Sequence, residues 1–541
     1  MKNIDEQSTE ATAAFDKRVQ ANQAKLTGDL RQRYDYIVCG SGSSGSAVAG
    51  RLAADPSVSV LLLETGGNDD TPAVMDPNLW ITALGSELDW GFAAASSPQL
   101  NGRAIPYAMG KVLGGGSSIN VCTWSRGHRS DWDHYASEAG DPAWGYEAVL
   151  AVYRRIEDWQ GTPDDRYRGV GGPVHVRPAR SPHPFFAAML DASASCGMPK
   201  FEDPNGRMME RESGSAFVDE IVRGERRQSI FRSYVYPLMD RPNLTVLTGA
   251  LVTRVRVEGR RAKGVDVIHD GKLLQIDATL EIILSLGAIQ TPKVLMHSGI
   301  GDEAQLSKFE IPLVRSLPGV GRNLHDHISL GCVWEGTGVD MPTALRGQTV
   351  SFWKSRGDLD APNLFTYSIP APFLTPENAP HFRIPAQAWS FAIGMRPQSR
   401  GAVTLTGRSP SDPPRIDAGY LHDPQDMDDI LKGLATCREI GRSAALRPFT
   451  RGDAIPGEGT RAELERYVRD GLVTFWHQSG TARMGRDESS VVDGRLKVHG
   501  VDGLRIADAS VLPRVTTGNT MAPCVVIGEQ AAAFIRAEHG A

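Results

Sequence analysis

Short apolar runs flank a glycine-rich stretch near the start of the chain, and this pattern predicts a strand–helix–strand unit. Tyr36–Val38 is a mostly β-branched run that ends at a glycine, which is typical of a buried strand. Ser46–Ala54 carries Val48 and Leu52 four positions apart, as on one face of a helix. After a proline break, Val58–Leu63 predicts a second buried strand.

Two further patterns follow in the middle of the chain. Leu244–Ile283 alternates apolar runs with turn residues, which predicts a meander of strands with turns near Gly259 and Gly271. The next segment predicts a helix over Gln290–His297 that begins at Thr291-Pro292.

Proline becomes dense between Ser329 and Asp470, so we expect loops over a sheet there, followed by a helix over Asp426–Gly441. Aromatic side chains are candidates for the walls of a substrate pocket, and ordinary core positions are an equally good interpretation. These candidates are Trp90, Phe365, Tyr367, Trp389 and Trp476.

Residues 1–33 are polar, but Phe15, Val19, Leu26 and Leu30 share one helical face. We expect a helix on the body of the protein or on a partner subunit, with a frayed tail as the alternative.

Composition narrows the class of protein. A chain of 541 residues exceeds one ordinary core and predicts two domains, interleaved if the later motifs belong to the first. The net charge of −6 and the scattered arginines argue against a nucleic-acid partner.

The six cysteines lie far apart, with no C-x-x-C and no paired His/Cys spacing. We therefore expect neither a disulfide framework nor a metal site, and a reducing compartment. No apolar run reaches the roughly 20 residues of a membrane span. The amino terminus lacks the pattern of a signal peptide, so a cytoplasmic location is expected.

Candidate chemistry begins with Gly40, Gly42 and Gly45, which form G-x-G-x-x-G between the first strand and the helix. Such glycines allow a pyrophosphate to approach a helix N-terminus, and Glu64, about 20 residues on, suits a ribose hydroxyl. A glycine turn without a ligand is the alternative. The stretch does not distinguish FAD from NAD.

A second glycine-rich run, Gly110–Gly127 (GKVLGGGSSINVCTWSRG), would let small side chains approach a flat or charged ligand. Asn120 is a candidate to hydrogen-bond the edge of a ring. A solvent loop is the alternative interpretation.

These stretches, together with SLGAIQTPKVLMHSGIG, LPGVGRNLHDH, HQSGTARMG and LRIADASVLP, resemble the glucose-methanol-choline (GMC) family of flavin oxidoreductases in the family's order. The resemblance extends from about Tyr34 to Ile535. It implies an α/β fold: a discontinuous Rossmann-like FAD-binding domain with an α+β substrate-binding cap domain built on an antiparallel sheet.

The implied division of the chain is an N-terminal extension over 1–33, an FAD-binding domain over 34–170, 213–328 and 471–541, and a substrate domain over 171–212 and 329–470. The positions implied to bind FAD are Gly40, Gly42, Ser43, Ser44, Gly45, Glu64, Thr65, Gly114, Gly115, Ser117, Asn120, Val121, Val252, Asp508, Ala509 and Thr520.

The resemblance also selects the catalytic residues. Alcohol oxidation needs a base for the hydroxyl proton and a group that steadies the developing alkoxide. Among 13 histidines, His477 occupies the motif position of the family's active-site histidine, and Asn519 that of its partner, which is His or Asn. An amide is no base, so Asn519 would donate a hydrogen bond. Taken alone, both residues could be structural.

Two departures from the family pattern matter. His477 is followed by Gln478, where many members have proline, and Ile119 stands where some members attach FAD through a histidine. We therefore expect non-covalent FAD.

The expected function is oxidation of a primary alcohol, preferably aryl or hydroxymethyl-furan, with oxygen or a quinone as electron acceptor and no metal. A choline, sugar or aliphatic alcohol dehydrogenase, an FAD-containing hydroxynitrile lyase and a non-enzymatic flavin-binding protein stay open. The oligomeric state stays open as well.

Overall fold

A computed structural model describes residues 4–179, 183–339, 341–342, 346–452 and 454–540, with side chains from residue 11 onward. The helices of this part are α1 (Ile4–Gly28), α2 (Ser43–Ala53), α3 (Pro72–Met75), α4 (Trp80–Ala83), α5 (Gly116–Ile119), α6 (Arg129–Ala139), α7 (Tyr146–Ile156), α8 (Pro184–Ser195), α9 (Ile230–Tyr234), α10 (Gly287–His297), α11 (Glu303–Lys308), α12 (Pro424–Gly441), α13 (Arg461–Gly471) and α14 (Met521–His539).

The strands of the same part are β1 (Arg33–Cys39), β2 (Val60–Leu63), β3 (Phe92–Ala94), β4 (Ile105–Tyr107), β5 (Thr123–Trp124), β6 (Glu157–Trp159), β7 (Val174–Pro178), β8 (Gly214–Phe217), β9 (Asp219–Glu220), β10 (Val222–Arg223), β11 (Arg226–Arg227), β12 (Leu244–Leu247), β13 (Ala250–Glu258), β14 (Arg261–His269), β15 (Lys272–Leu284), β16 (Ile300–Gly301), β17 (Arg315–Ser316), β18 (Ile328–Glu335), β19 (Thr349–Trp353), β20 (Leu364–Ile369), β21 (Ala388–Met395), β22 (Ala402–Thr404), β23 (Arg415–Asp417), β24 (Val473–Thr474) and β25 (Leu504–Ile506).

The first sheet has a parallel centre made from both ends of the chain. Its order is β12-β2-β1-β15, and β25 pairs with β15 in parallel. Strand β1 joins β2 and β15, so Ile37 lies between Leu61 and Ile282. The side chains of this centre are buried, as expected for parallel strands covered on both faces. The predicted strand–helix–strand unit is confirmed, although its helix begins at Ser43 rather than Ser46.

The predicted meander is confirmed for β13, β14 and β15, which pair antiparallel, whereas β12, at the start of the predicted range, pairs in parallel with β2. Its turns contain Gly259 and Gly271, and both glycines have positive φ, which residues without a Cβ adopt at little cost. Strand β13 ends this sheet, so its outer edge is free of strand partners within the described chain.

The predicted start of the next helix is wrong. Helix α10 begins at Gly287 and Pro292 lies inside it, not at its first turn. A proline at that position cannot donate a hydrogen bond to the carbonyl four residues earlier, that of Ala288. The hydroxyl of Thr481 donates to this carbonyl instead, at 2.6 Å. A residue almost two hundred positions away thus makes the interior proline tolerable.

The second sheet is antiparallel and has the order β24-β18-β21-β20-β19-β8. It includes residues 214–217 and 473–474, which the predicted division assigns to the nucleotide-binding domain. That part of the division is corrected: both segments complete open edges of this sheet by backbone pairing. Helix α12 packs on the sheet, where its Gly433 lies against Leu364 and Ile393. The predicted span of this helix is confirmed within two residues.

The N-terminal helix α1 lies on the body of the protein. Val19 is buried, and Phe15 packs edge-to-face on Tyr236. The side chains of Asn22 and Gln23 donate to the backbone carbonyl of Met239 at 2.8 Å. Between the apolar positions Val19 and Leu26, the helix is therefore held to the body of the protein by these polar contacts. No helix of the described residues is long and apolar enough to cross a membrane.

Candidate functional site

The first glycine loop allows three backbone segments to meet. A Cβ on Gly40 would lie 2.3 Å from the carbonyl oxygen of Ser285, and one on Gly45 would lie 2.0 Å from the carbonyl oxygen of Gly40. A Cβ on Gly42, in contrast, would meet nothing within 4 Å. Gly42 is the N-cap of α2, so open space lies beside the N-terminus of this helix. This is the geometry of an anion site.

The second glycine loop closes on the first. A Cβ on Gly115 would lie 2.9 Å from the Cα of Gly42, and the amide of Gly114 donates to the hydroxyl of Ser41 at 3.1 Å. Ser43 and Ser44 begin α2 beside this contact, and the Ser44 hydroxyl donates to the Cys524 carbonyl. The structure thus brings together the two glycine motifs that the sequence separates.

Glu64 lies at the end of β2 and faces the same loop. Its carboxylate accepts the Ser41 hydroxyl at 2.7 Å and the Gly66 amide at 2.9 Å. Burial raises the pKa of Glu64, while these donors lower it. Thr65 follows it, and Val252 lies on the edge strand β13 that starts beside Glu64. Glu64 also accepts the Ser41 amide at 3.1 Å, so its carboxylate is already satisfied by the protein, and the ribose and adenine contacts of these positions stay predictions.

The end of the second loop is held by protein contacts. The Ser117 hydroxyl accepts the Ile230 amide at 3.1 Å, and Val121 is partly exposed. The Asn120 amide oxygen accepts Arg227 Nη1 at 2.8 Å, and its nitrogen donates to Met521 Sδ at 3.1 Å. One hydrogen of the Asn120 amide is left for a ring edge, so the predicted contact stays a prediction.

The carboxylate of Asp508 is satisfied by the protein. It accepts the Gly287 amide at 2.9 Å, the Thr291 hydroxyl at 2.6 Å and the Ser510 amide at 2.8 Å. The capping alternative therefore describes its side chain, and only the backbone at Asp508 and Ala509 is left for the predicted cofactor contact. Thr520 is the residue before α14 and makes no side-chain cap there.

The two residues predicted to be catalytic, His477 and Asn519, are neighbours in the structure. Asn519 Nδ2 lies 3.1 Å from His477 Nε2, and both side chains are buried. The hydroxyl of Tyr367 donates to Asn519 Oδ1, and His477 Nδ1 lies 2.8 Å from His327 Nδ1. Asn519 is not a helix cap, since the residue before α14 is Thr520. Four polar side chains thus form one chain of hydrogen bonds.

The hydrogen bonds around His477 indicate which of its two ring nitrogens carries the proton. His327 Nε2 is buried and has no hydrogen-bond partner among the described residues. A proton on His327 Nε2 leaves its Nδ1 as acceptor for His477 Nδ1–H. His477 Nε2 then carries the lone pair, and Asn519 points an N–H at it. Tyr367, donating to Asn519 Oδ1, is consistent with this assignment.

Burial also sets the charge of this pair of rings. It lowers the pKa of His477 to about 3 and that of His327 well below its ordinary value, with the neighbouring His477 as a second cause. Both imidazoles are therefore neutral at neutral pH, and a neutral His477 can accept a proton.

Asp326 holds the backbone around His477. Its carboxylate accepts the His477 amide at 2.8 Å and the Thr474 hydroxyl at 2.6 Å. Trp476 between them has φ of +59°, a left-handed conformation that is rare for an aromatic residue. The Trp476 amide donates to the Thr474 hydroxyl at 2.7 Å, which helps to hold this turn. Burial raises the pKa of Asp326 to about 6.

The loop before Asn519 is anchored from the other side. The Thr517 amide donates to buried Asp131 at 2.6 Å, and the Val515 amide donates to His325 Nδ1 at 3.0 Å. Burial alone would raise the pKa of Asp131, but Arg396 and Arg514 lower it below its usual value. A charged carboxylate therefore fixes the loop that carries Asn519.

A cavity of about 490 Å³ opens beside the His477 segment. Thr474 and Trp476 line it, together with Phe92, Phe373 and other mostly apolar residues. Asp89 also lines it, but its carboxylate accepts the amides of residues 85, 91 and 109. The cavity is therefore apolar, with its charged group already satisfied.

The predicted pocket aromatics divide into four groups. Trp476 lines the cavity, while Phe365 and Tyr367 lie at the catalytic pair, with the Phe365 ring 5.0 Å from that of His327. Trp90 stacks on Phe92 beside the cavity but does not line it. The prediction that Trp389 lines the pocket is wrong, because this side chain is fully buried in the core of the second sheet. Its ring stacks on that of Trp334, with 5.8 Å between the ring centroids.

His327 and Asp326 were missed as functional residues, although both belong to the LPGVGRNLHDH stretch. The sequence signal that could have identified them is the run of two histidines and an aspartate at the end of this short motif. Within the described residues no group of three metal-ligating side chains comes together.

The chain matches the family model described as GMC oxidoreductase over residues 34–329 and 397–528. It is 38% identical over 535 residues to an uncharacterized GMC-type oxidoreductase of Mycobacterium tuberculosis, covering 93% of this chain and 99% of the relative. It is 35% identical over 536 residues to an oxygen-dependent choline dehydrogenase of Paraburkholderia xenovorans, covering 93% and 94%.

Among solved structures, it is similar to pyridoxine 4-oxidase from Mesorbium loti, with a TM-score of 0.88 and 30% identity, covering 94% of this chain and 99% of that one.

Proposed function

This chain belongs to the GMC oxidoreductase family, and on that premise we propose that it oxidises a primary alcohol to the aldehyde with His477 as the base. The family membership makes it an FAD-dependent alcohol oxidoreductase. The residues of the glycine loops fit the cofactor, since open space lies in front of Gly42 at the N-terminus of α2. When bound, FAD supplies the acceptor for the hydride of the carbinol carbon.

The observation that carries the proposal is the contact between His477 and Asn519. His477 Nε2 is neutral and directed at the amide of Asn519, 3.1 Å away. A substrate hydroxyl that faces both side chains would donate its proton to His477 Nε2 and accept an N–H from Asn519. The base removes the proton, and the amide steadies the negative charge that develops on oxygen.

The cavity supports an uncharged, apolar alcohol, preferably aryl or hydroxymethyl-furan. Its walls include Trp476, which precedes His477 in the chain, together with Phe92 and Phe373, and these aromatic faces suit a flat ring. A similar protein is named pyridoxine 4-oxidase, a name that also indicates an alcohol carried on an aromatic ring.

Choline is the second candidate, because relatives about 35% identical are named choline dehydrogenases. Aromatic faces such as Trp476 attract a quaternary ammonium by cation–π interaction. The opposing observation is Asp89, whose carboxylate already accepts three backbone amides and has little capacity left for a cation.

Anaerobic mixing of the FAD-loaded enzyme with a panel of alcohols tests the proposal. Benzyl alcohol and a hydroxymethyl-furan should bleach the flavin faster than choline, a sugar or an aliphatic alcohol. Fastest bleaching by choline would transfer the assignment to the second candidate. Cleavage of a cyanohydrin without bleaching by any alcohol would replace oxidation by lyase chemistry. Repeating the assay with oxygen and with a quinone identifies the electron acceptor.

The cofactor is proposed to be held without a covalent bond, because Ile119 offers no nucleophile at the position implied for attachment. Acid precipitation should leave a colourless pellet and a yellow supernatant. A yellow pellet after washing would overturn this proposal.

A further inference from the structure

Arg227 is a fully buried arginine beneath the second glycine loop. Its Nε donates to the Val74 carbonyl at 2.7 Å. Its Nη1 donates to Asn120 Oδ1 at 2.8 Å and to the Ser117 carbonyl at 3.3 Å, while Nη2 is buried without a partner. All of its acceptors are uncharged groups, so the hydrogen bonds do not neutralise its charge.

No carboxylate pairs with Arg227 among the described residues. The charged or titratable groups that act on it are Cys122, Arg346 and Asp76. Burial raises the pKa of the Cys122 thiol, which therefore stays neutral. Arg346 is itself a cation paired with Glu220, and Asp76 is a half-buried helix cap. A guanidinium that remains charged at all ordinary pH values is thus buried without a counter-ion, which is costly unless an anion arrives.

The contacts place Arg227 against the last part of the second glycine loop. The diphosphate end is marked by Gly115, which packs against Gly42. Arg227 instead binds Asn120, whose amide donates to Met521, two residues after Asn519. The charge therefore lies directly behind Asn120, the loop residue predicted to meet the edge of the redox ring, and it also contacts Ser117, two residues after Gly115.

We propose that the charge of Arg227 stabilises the anionic reduced form of the bound flavin and so raises its reduction potential. A hydride brings two electrons and one proton to the neutral oxidised ring, which leaves one negative charge unless a second proton follows. A fixed cation in a low-dielectric surrounding favours that anion. The inference rests on the proposed position of the flavin over this loop, but not on the identity of the alcohol.

Two variants separate charge from hydrogen bonding. Arg227→Gln removes the charge but keeps an N–H donor, whereas Arg227→Lys keeps the charge but cannot span the three acceptors. The potential of each FAD-loaded protein is measured against a reference dye during chemical reduction, with no alcohol present. In the Gln variant the equilibrium constant for reduction should fall at least about tenfold, and in the Lys variant far less.

An unchanged potential in an FAD-containing Arg227→Gln protein would overturn the proposal. Equal losses in both variants would also overturn it, because hydrogen bonding rather than charge would then be responsible. Since no alcohol enters this titration, failure of the proposed substrate oxidation would leave its outcome unaffected, and the two failures can be told apart.

The unaltered protein provides a test that survives misfolding of the variants. If the reduced flavin is anionic, its potential should fall with rising pH at the slope of a two-electron, one-proton couple, including below neutral pH. A two-proton slope below neutral pH would contradict an anion stabilised by Arg227.

Arg346→Gln is the control for the Arg227 variants, because it removes a nearby arginine that has its own carboxylate partner.

Discussion

At the residue scale, the candidate site depends on the contacts that orient His477 and Asn519 as well as on these two residues themselves. His477 and Asn519 were predictable because each lies in a motif that resembles the GMC family. Tyr367 and His327, which orient them, lie 152 and 150 positions away in sequence from their partners. No local pattern connects such positions, so only the folded chain identifies their role. The five candidate aromatics illustrate the same limit, since sequence does not distinguish Trp476 in the cavity from Trp389 in the core.

Tyr367→Phe tests the orientation of Asn519. Without the hydroxyl, the Asn519 amide is free to turn, and we expect flavin reduction by alcohol to slow about tenfold while the FAD spectrum is retained. Tyr153→Phe is the matched control, because its buried hydroxyl donates to the Arg126 carbonyl, outside the catalytic hydrogen-bond chain. Equal effects of the two substitutions would show that Tyr367 has no orienting role. Stopped-flow absorbance under anaerobic conditions measures both.

His327 is tested by comparing His327→Asn with His327→Leu. Asparagine can offer an acceptor near the position of Nδ1, whereas leucine leaves the His477 Nδ1–H without a partner. Flavin reduction should therefore be slower in the leucine variant by about tenfold or more. Equal rates in the two variants would contradict the assigned position of the His477 proton.

The pH dependence follows from the lowered pKa of His477. In the proposed mechanism the neutral ring is the base, and a folded-state pKa of about 3 keeps it neutral well below the ordinary value near 6.5. We expect the rate of flavin reduction at saturating alcohol to stay level from neutral pH down to about pH 5. A decline with an apparent pKa near 6.5 would show that the bound state makes His477 more basic.

At the element scale, periodicity identified the central strands, the meander and α12 because their burial follows a simple period. Periodicity failed to predict the start of α10, where a residue distant in sequence makes an interior proline acceptable. Proline normally belongs to the first turn of a helix, so the segment at Pro292 predicted a helix start. The Thr481 hydroxyl removes the penalty of the unpaired Ala288 carbonyl, and α10 extends back to Gly287. The short strand β8 likewise carries no pattern of its own and is defined by its partner β19.

Thr481→Val tests this account of α10. The Ala288 carbonyl would lose its donor inside the core, and we expect a loss of about 1–3 kcal/mol in the free energy of unfolding. Adding Pro292→Ala restores a backbone N–H that can bond the same carbonyl, so the double variant should recover part of the loss. Denaturant unfolding of the four proteins measures the coupling. Strict additivity would contradict the link between Thr481 and Pro292.

At the scale of the whole molecule, the site is built from both ends of the chain. The glycine loops come from residues 40–45 and 114–117, while His477 and Asn519 come from the last seventy residues. Strand β25 joins the first sheet beside β15, which brings the carboxyl-terminal segment to the edge where β1 ends. The resemblance to the GMC family implied an interleaved division of this kind. The exact borders depend on edge pairing of β8 and β24, which no composition change marks.

The central claim is that His477 removes the alcohol proton next to the flavin. The most direct measurement is the anaerobic rate of flavin reduction in His477→Ala, compared with the unaltered enzyme at the same FAD content. The account predicts a yellow protein whose reduction by alcohol is at least about a hundredfold slower, the usual contribution of a general base. A variant that binds FAD and is reduced at the unaltered rate would contradict it.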